Sequence, residues 1–398
     1  MYKLKTAAFD MFLNIFATLV PMATLQLVVL PIVARSMAAD AYGIALASIA
    51  LLGLIPLTVG NVINNVRLLL DADYQAEGLQ GDFSLITIVS CAICAIATCI
   101  GSYIVGTTSA MNLCVVGGSS VLMLEREYLV VEYRLRLNYR RILFSNLWQA
   151  FGQFLGLGVF LVSNIWGFVY MFGYLMSDLY IIRTTSIWKE PLVKTTRLKT
   201  TLGDIASLGF ANILNKLTNY ADRLVLIPLA GASSVTIYYV ACLFGKVLSL
   251  IISPINNVLL SYLVKEDSAS HKSFWVAIVS GFVLCIIGFT VTMIISRFII
   301  ALLYPQYVDA AMLYVPAATA AAYVMVLSNV ANPFVMRFCD LRWQTVMNAA
   351  FCTSFFIGVF AGYHIGGLSG FCIGVLTANC IRLLLVITIY FSNTNRQL

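Results

Sequence analysis

The stretch YGIALASIALLGLIPLTVGNVINNV, from Tyr42 to Val66, contains no charged side chain, with Asp40 just before it and Arg67 just after it. A helix that crosses a bilayer needs about 20 consecutive, mostly apolar residues, and this stretch is long enough. The same pattern recurs along the whole chain. Twelve segments qualify, near 8–34, 42–66, 83–106, 110–133, 142–162, 165–185, 205–230, 234–263, 274–303, 311–337, 343–363 and 368–391. The breaks between them are short and read as turns: Ala39-Asp40, Gly106-Thr107-Thr108, Ser163-Asn164, Gly231 to Ser234, and Gly366-Gly367.

Composition agrees. Of 398 residues, 61% are hydrophobic and 10% charged, and mean hydropathy is +0.93. A soluble domain carries about 25% charged residues, so this chain cannot cover a water-facing surface. A soluble enzyme, a nucleic-acid binder and a disordered scaffold are excluded. The fold class expected is an all-α integral membrane protein of twelve transmembrane helices. The N-terminus, MYKLKTAAFDMFLN, lacks a small-residue cleavage site and reads as the start of the first span rather than a signal peptide.

An even number of spans puts both termini on one side. If that side is the cytoplasm, Arg35 and Arg297 fall at outside ends, while Arg126, Lys216, Arg223, Lys246 and Arg382 fall within spans. The rest of the 24 Lys and Arg residues sit in inside loops and tails. The positive-inside rule favours this orientation, and most of the net charge of +7 is then topological. No nucleic-acid partner is needed to explain it.

The chain also looks duplicated. A shift of 197 positions superposes Pro31 on Pro228, Ser36 on Ser233 and Tyr42 on Tyr239, and INNV occurs at 63–66 and again at 255–258. Two six-span halves would share one orientation, as in transporters built from parallel repeats. The expected organisation is an N-terminal six-helix lobe (1–185), a basic cytoplasmic linker (186–204) and a C-terminal six-helix lobe (205–398), with pseudo-two-fold symmetry around a central cavity.

The charges within spans are the informative ones, because a charge at the bilayer centre costs about 2.5–3.5 kcal/mol. Lys216 and Lys246 lie roughly 16–18 Å into their spans, near the middle of the hydrocarbon core. In the seventh span Asn212, Asn215, Lys216, Asn219 and Arg223 fall on one helical face; in the eighth, Tyr239, Cys242, Lys246, Ser249, Ser253 and Asn256 do the same. Thr58, Asn61 and Asn65 form a milder stripe in the second span, which ends at Arg67. Such faces must look at protein or water. The second half has Lys216, Arg223, Lys246 and Arg382 against Asp222, and the first has Arg126 against Asp10, Glu125, Glu127 and Asp178. A cationic pocket of low dielectric suits phosphate or diphosphate. Lys216, Lys246 and Arg223 are therefore the expected anion holders, with Asn212, Asn215, Asn219, Tyr239, Ser249, Asn61, Asn65 and Arg67 around them. Asp178, Asp222 and Glu125 are candidates for a coupling proton or sodium ion. Glu125, Glu127 and Glu132 are also placed to pair with Arg126, Arg134 and Arg136 along the fourth helix.

Other patterns carry less. Cys91-x-x-Cys94 lies mid-helix without a neighbouring acid or His and reads as packing. No phosphate-binding loop is present, so ATP-driven pumping is not expected, and His271 and His364 are too isolated for a zinc or catalytic cluster. Asp71-Ala-Asp73 reads as solvated acids, and no catalytic residue, metal or cofactor is expected.

Two long stretches carry a resemblance. LPIVARSMAADAYGIALASIALLGLIPLTVGNVINNVRLLL (30–70) resembles the first-to-second-helix region of polysaccharide repeat-unit flippases of the O-antigen and capsule type. These belong to the multidrug/oligosaccharidyl-lipid/polysaccharide exporter superfamily. ADRLVLIPLAGASSVTIYYVACLFGKVLSLIISPINNVLLSYLVK (221–265) resembles the helix 7–8 region of the same family, with Asp222 and Arg223 before the loop and Tyr239 after it. LLYPQYVDAA (302–311) is similar to the family's short amphipathic stretch after helix 9. The resemblance implies a bacterial inner-membrane flippase, not an enzyme, that moves an undecaprenyl-diphosphate-linked oligosaccharide through a cationic cavity by gradient-coupled alternating access. Its partners would be membrane lipids and a polysaccharide polymerase machinery. The rivals are a multidrug/cation antiporter of the same superfamily, a membrane-embedded glycan polymerase or ligase, and a passive scramblase. Short, nearly uncharged outside loops disfavour the enzyme.

Overall fold

The computed structural model describes residues 17–245, 271–340 and 342–394, without the side chains of Ala211, Asn215, Thr218 and Thr394. Among the described residues all regular structure is helical, in the order α1 (Ala17–Arg35), α2 (Ala39–Leu54), α3 (Pro56–Ala76), α4 (Asp82–Ile104), α5 (Ala110–Leu129), α6 (Val131–Leu135), α7 (Tyr139–Ser163), α8 (Gly167–Thr184), α9 (Leu198–Ala230), α10 (Ala232–Ala241), α11 (His271–Leu303), α12 (Val308–Met312), α13 (Val315–Phe338) and α14 (Arg342–Thr394). Among the described residues a helix lies in every segment expected to span; 8–16 of the first and 246–263 of the eighth fall outside them. Lys246 and Ser249 of the expected site fall outside the described residues.

The breaks have local causes. Pro56 opens α3, and the chain turns at Ile55 just before it. Asn164 closes α7 with φ +59°, a left-handed conformation that Asn tolerates. α14 is broken at Gly366 and Gly367, the latter at φ +57°, so it is two helical arms rather than one rod. One expected turn moves. Ala39 and Asp40 are the first residues of α2, not a break, and the non-helical residues are Ser36 to Ala38. An acid in the first turn favours the helix dipole, which is why Asp40 belongs inside.

The chain divides into two compact units, Met1–Ile227 and Pro228–Leu398. In the first, α7 packs against α8 with backbone contact. A Cβ on Gly152 would sit 2.3 Å from the Phe172 carbonyl oxygen, and one on Gly156 would sit 2.4 Å from that of Phe168. In the second, the two arms of α14 do the same: Gly358 faces Gly374 and Gly362 faces Gly370, with 2.9 and 2.2 Å from the added Cβ to the facing carbonyl oxygen. Small residues at helix crossings let backbones approach where no hydrophobic effect drives association. Other helices turn many apolar side chains outward. α11 exposes Phe282, Leu284, Ile287, Ile294 and Phe298 among others, as a lipid-facing helix does. The chain is a multi-pass membrane protein.

Candidate functional site

The first unit buries its charges as a connected group. Arg126 of α5 pairs with Glu127 and also donates to the Asn146 side-chain oxygen, and Asn146 in turn donates to the Ala17 carbonyl at 2.9 Å. Glu127 accepts from the Asn61 amide at 3.1 Å, and its own carbonyl accepts from Asn64 at 2.7 Å. Arg134 donates to Asn65 at 2.9 Å and to Asn64. Asn61 and Asn65 are thus held by α5 and the turn after it. Of the expected acid–base pairs, Arg126–Glu127 and Arg136–Glu132 (2.8 Å) form, whereas Arg134 turns to the two asparagines instead.

Asp178 of α8 lies within electrostatic reach of Glu125, Arg126 and Glu127. It is 2% exposed, and neither carboxylate oxygen has a hydrogen-bond partner among the described residues. Glu125 is half-buried and makes no ion pair among the described residues. Three carboxylates therefore share one guanidinium. Facing this group, α7 presents Ser145, Asn146, Gln149 and Gln153, all buried. Their positions are one turn apart, a helical stripe that the spacing of polar residues in the sequence could have revealed.

The expected anion holders sit on α9. Asn212 donates back to the Leu208 carbonyl at 2.9 Å, the i−4 bond that polar side chains make inside helices. Lys216 is half-buried, and no carboxylate pairs with it among the described residues. Asn219 is exposed and Arg223 is buried. Asp222 accepts from the Arg223 amide at 2.9 Å. Tyr239 is buried in α10 of the second unit.

Arg67 and Asp71 lie where α3 meets the segment before α9. Arg67 is buried, bridges Glu190 at 2.8 Å and Asp71 at 3.3 Å, and lies over the Phe83 ring at 4.9 Å. Asp71 is consequently not solvated, which corrects the expectation, while Asp73 is, at 56% side-chain exposure. The segment itself is fastened at several points. Glu132 accepts from the Ser186 and Ile187 amides at 2.8 and 2.9 Å, and Asp82 accepts from the Thr195 amide at 2.7 Å and the Tyr74 hydroxyl at 2.9 Å. Gly81, at φ +114°, lies under the Pro191 and Val193 carbonyls, where a Cβ would come within 2.7 and 2.6 Å. A cavity of about 670 Å³ opens here, lined by Arg67, Glu132, Arg136, Lys189 and Glu190. Burial pushes the Glu190 carboxyl up against the opposing pull of Arg67. The exposed Arg197–Glu77 pair holds Glu77 below the usual carboxylate range.

The second unit differs. Arg382, on the arm of α14 after Gly367, is buried. Its contacts are the Met325 sulfur at 2.8 Å and the Phe351 ring at 5.4 Å, and no carboxylate pairs with it among the described residues. At 1.5 Å per residue, it is about 20 Å from either end of its arm. A cation over an aromatic ring gains about 0.5–2 kcal/mol and thioether sulfur is a weak acceptor, so these contacts fall short of the roughly 2.5–3.5 kcal/mol that such a depth costs. The sequence showed that Arg382 was intramembrane but not that it lacked an acid.

Solved structures share this fold. A lipid II flippase, MurJ, in an inward closed conformation aligns over 98% of this chain and 88% of its own, at TM-score 0.68 and 13% identity. An inward-facing multidrug resistance MATE family transporter of the MOP superfamily aligns over 96% and 98%, at TM-score 0.65 and 14% identity. A Vibrio cholerae MATE transporter in the bent form aligns over 100% and 99%, at TM-score 0.60 and 12% identity. No family model matches the sequence, and no curated protein matches it either. At these identities the shared feature is the fold.

Proposed function

We propose that the chain is a flippase that carries an undecaprenyl-diphosphate-linked oligosaccharide repeat unit from the cytoplasmic to the periplasmic leaflet of a bacterial inner membrane, both termini being cytoplasmic. The lobes are 1–185 and 205–398, joined by 186–204, and they alternate access to the head group. The observation that supports this reading best is Lys216: midway along α9, half-buried, with no carboxylate beside it among the described residues. Together with Arg223 on the same helix and Lys246 it offers fixed positive charge to a diphosphate, and Asn212, Asn215, Asn219, Tyr239 and Ser249 offer hydrogen bonds to sugar hydroxyls. Asp178, with Glu125 and Asp222 as further candidates, carries the coupling proton or sodium ion. The likeness to a lipid II flippase fits a lipid-linked substrate, and the product would pass to a polymerase machinery.

A second reading, multidrug/cation antiport, is favoured by one feature: the two oxygens of buried Asp178, unpaired among the described residues, also suit a transporter driven by cation exchange. One experiment separates the two. Proteoliposomes containing the purified protein are loaded with a fluorescent lipid-linked diphosphate oligosaccharide, and a quaternary-ammonium dye is assayed in parallel. The flippase reading expects movement of the lipid and its loss in Lys216→Gln/Lys246→Gln, with protein still inserted. Dye efflux with no lipid movement would establish the antiporter instead.

A further inference from the structure

Arg382 is a buried cation without a counter-charge among the described residues, and the atoms near it are short of partners as well. Its guanidinium rests against the Met325 sulfur from α13 and the Phe351 ring from the first arm of α14. The Cys352 thiol, next to Phe351, lies within electrostatic reach of it. Ser328 shares a face of α13 with Met325, one turn on, and its hydroxyl is buried with no hydrogen-bond partner among the described residues. Asn379, one turn before Arg382, donates to the Ala321 carbonyl at 2.9 Å, and its own side-chain oxygen is buried and unpartnered among the described residues. Both helices are held at fixed separation: the α14 arms touch through glycine, and Asn379 ties the second arm to α13. The guanidinium is therefore preorganised and cannot snorkel to a membrane surface.

A guanidinium so placed needs negative charge, and no acid in the second unit supplies it among the described residues. We propose that Arg382 anchors a binding site for a small monovalent inorganic anion, of the chloride class, inside the second unit between α13 and the two arms of α14. The guanidinium supplies the charge and Ser328 a hydroxyl donor. At 6% exposure, Arg382 is out of reach of a bulky lipid head group. The apolar surroundings of Phe351 and Met325 favour a singly charged, weakly hydrated anion over phosphate or sulfate, whose desolvation is far costlier. The bound anion neutralises the arginine and stabilises the unit by mass action.

The test uses the full-length protein in detergent. Its thermal unfolding midpoint is followed as sodium chloride replaces sodium gluconate at constant ionic strength. The wild type is expected to rise along a one-site saturation curve, with bromide substituting for chloride and phosphate failing to do so. Arg382→Met, which keeps the volume and removes the charge, is expected to lose the dependence and to unfold in gluconate no lower than the wild type does. A wild type indifferent to chloride, a variant with undiminished dependence, or a rise with phosphate alone would each overturn the assignment. If Arg382→Met does not fold, equilibrium binding of radioactive chloride to the wild type decides: about one displaceable ion per chain supports the site, and none refutes it.

Discussion

The α7–α8 pair of the first unit and the two arms of α14 in the second are built alike and filled differently. Each brings two helices into backbone contact through a pair of glycines four residues apart, Gly152 and Gly156 in one, Gly358 and Gly362 in the other. Five residues beyond Gly173 stands Asp178; five beyond Gly374 stands Asn379. The chemistry then diverges. The first pair buries Ser145, Asn146, Gln149 and Gln153, whereas positions 206 further on in the second hold Phe351, Cys352, Phe355 and Val359. One interior is amide-rich around a carboxylate, the other aromatic around a guanidinium. The scaffold tolerates this because glycine packing fixes the helix crossing through the backbone, and leaves the side chains beside it free to specialise.

The comparison breaks most directly at the glycines. Gly362→Leu and Gly156→Leu should each cost more than the 1–3 kcal/mol usual for overpacking, since the added Cβ meets a backbone carbonyl that cannot move aside. Monodisperse protein after detergent extraction should fall to a small fraction of wild type in both. Gly158→Ala, with nothing within 4 Å of the new Cβ, is the control and should leave the yield unchanged. An equal response of all three would show that the contact does not hold the pairs together.

These glycines were legible in the sequence and their use was not. The twelve spans, the turn at Ser163-Asn164 and the break at Gly366-Gly367 followed from hydropathy and turn chemistry, which are local. The Ser145–Gln153 spacing is present in the sequence, but which face of α7 looks inward is a tertiary fact, and the stripe on α9 is the more conspicuous one. Asp71 was misread for the same reason: a short acidic loop looks solvated until Arg67 folds over it. The repeat read from Pro31, Ser36 and Tyr42 rests on residues at and beside the first turn, whereas the helix pairs carry theirs in glycine spacing.

The acids and bases offer the next test. Asp178→Asn replaces a buried carboxylate whose oxygens are unpaired among the described residues and leaves the amide-rich interior intact. Stability should hold or rise by about 1 kcal/mol, while gradient-driven transport in proteoliposomes should fall at least roughly tenfold, the smallest loss expected of an essential coupling group. Undiminished gradient dependence would remove Asp178 from the coupling site. The converse change, Asn379→Asp, places a carboxylate one turn from Arg382 and should abolish the effect of chloride on the unfolding midpoint. Retention of that effect would mean that the guanidinium is not what chloride neutralises.

Glu190→Gln probes a half-buried charge. Arg67 would keep Asp71 but lose its 2.8 Å partner, so the cost should be near the lower end of the range for breaking a buried pair, about 3 kcal/mol. Protease digestion within 186–197 should accelerate accordingly, and unchanged digestion would show that Arg67 does not hold the segment down.

The smallest effect is expected where burial is absent. Arg197 and Glu77 pair on the surface, with side-chain exposures of 32% and 44%, and the arginine holds the Glu77 carboxyl below its usual value of 4.5. A carboxylate with a lowered pKa contributes stability that is present above its ordinary value and disappears as pH falls through its folded value. The gap in unfolding midpoint between wild type and Glu77→Gln should therefore be small and constant from neutral pH down to about 4.5, and close on further acidification. Molar salt should close it too, because exposed pairs are screened. The same salt series should leave the chloride response of Arg382 standing once ionic strength is matched, since a site out of water is screened far less. A gap at Glu77 that persists in acid and in high salt would mean that this pair is not the simple surface contact its exposure implies, and would weaken burial as the property that separates it from Asp178 and Arg382.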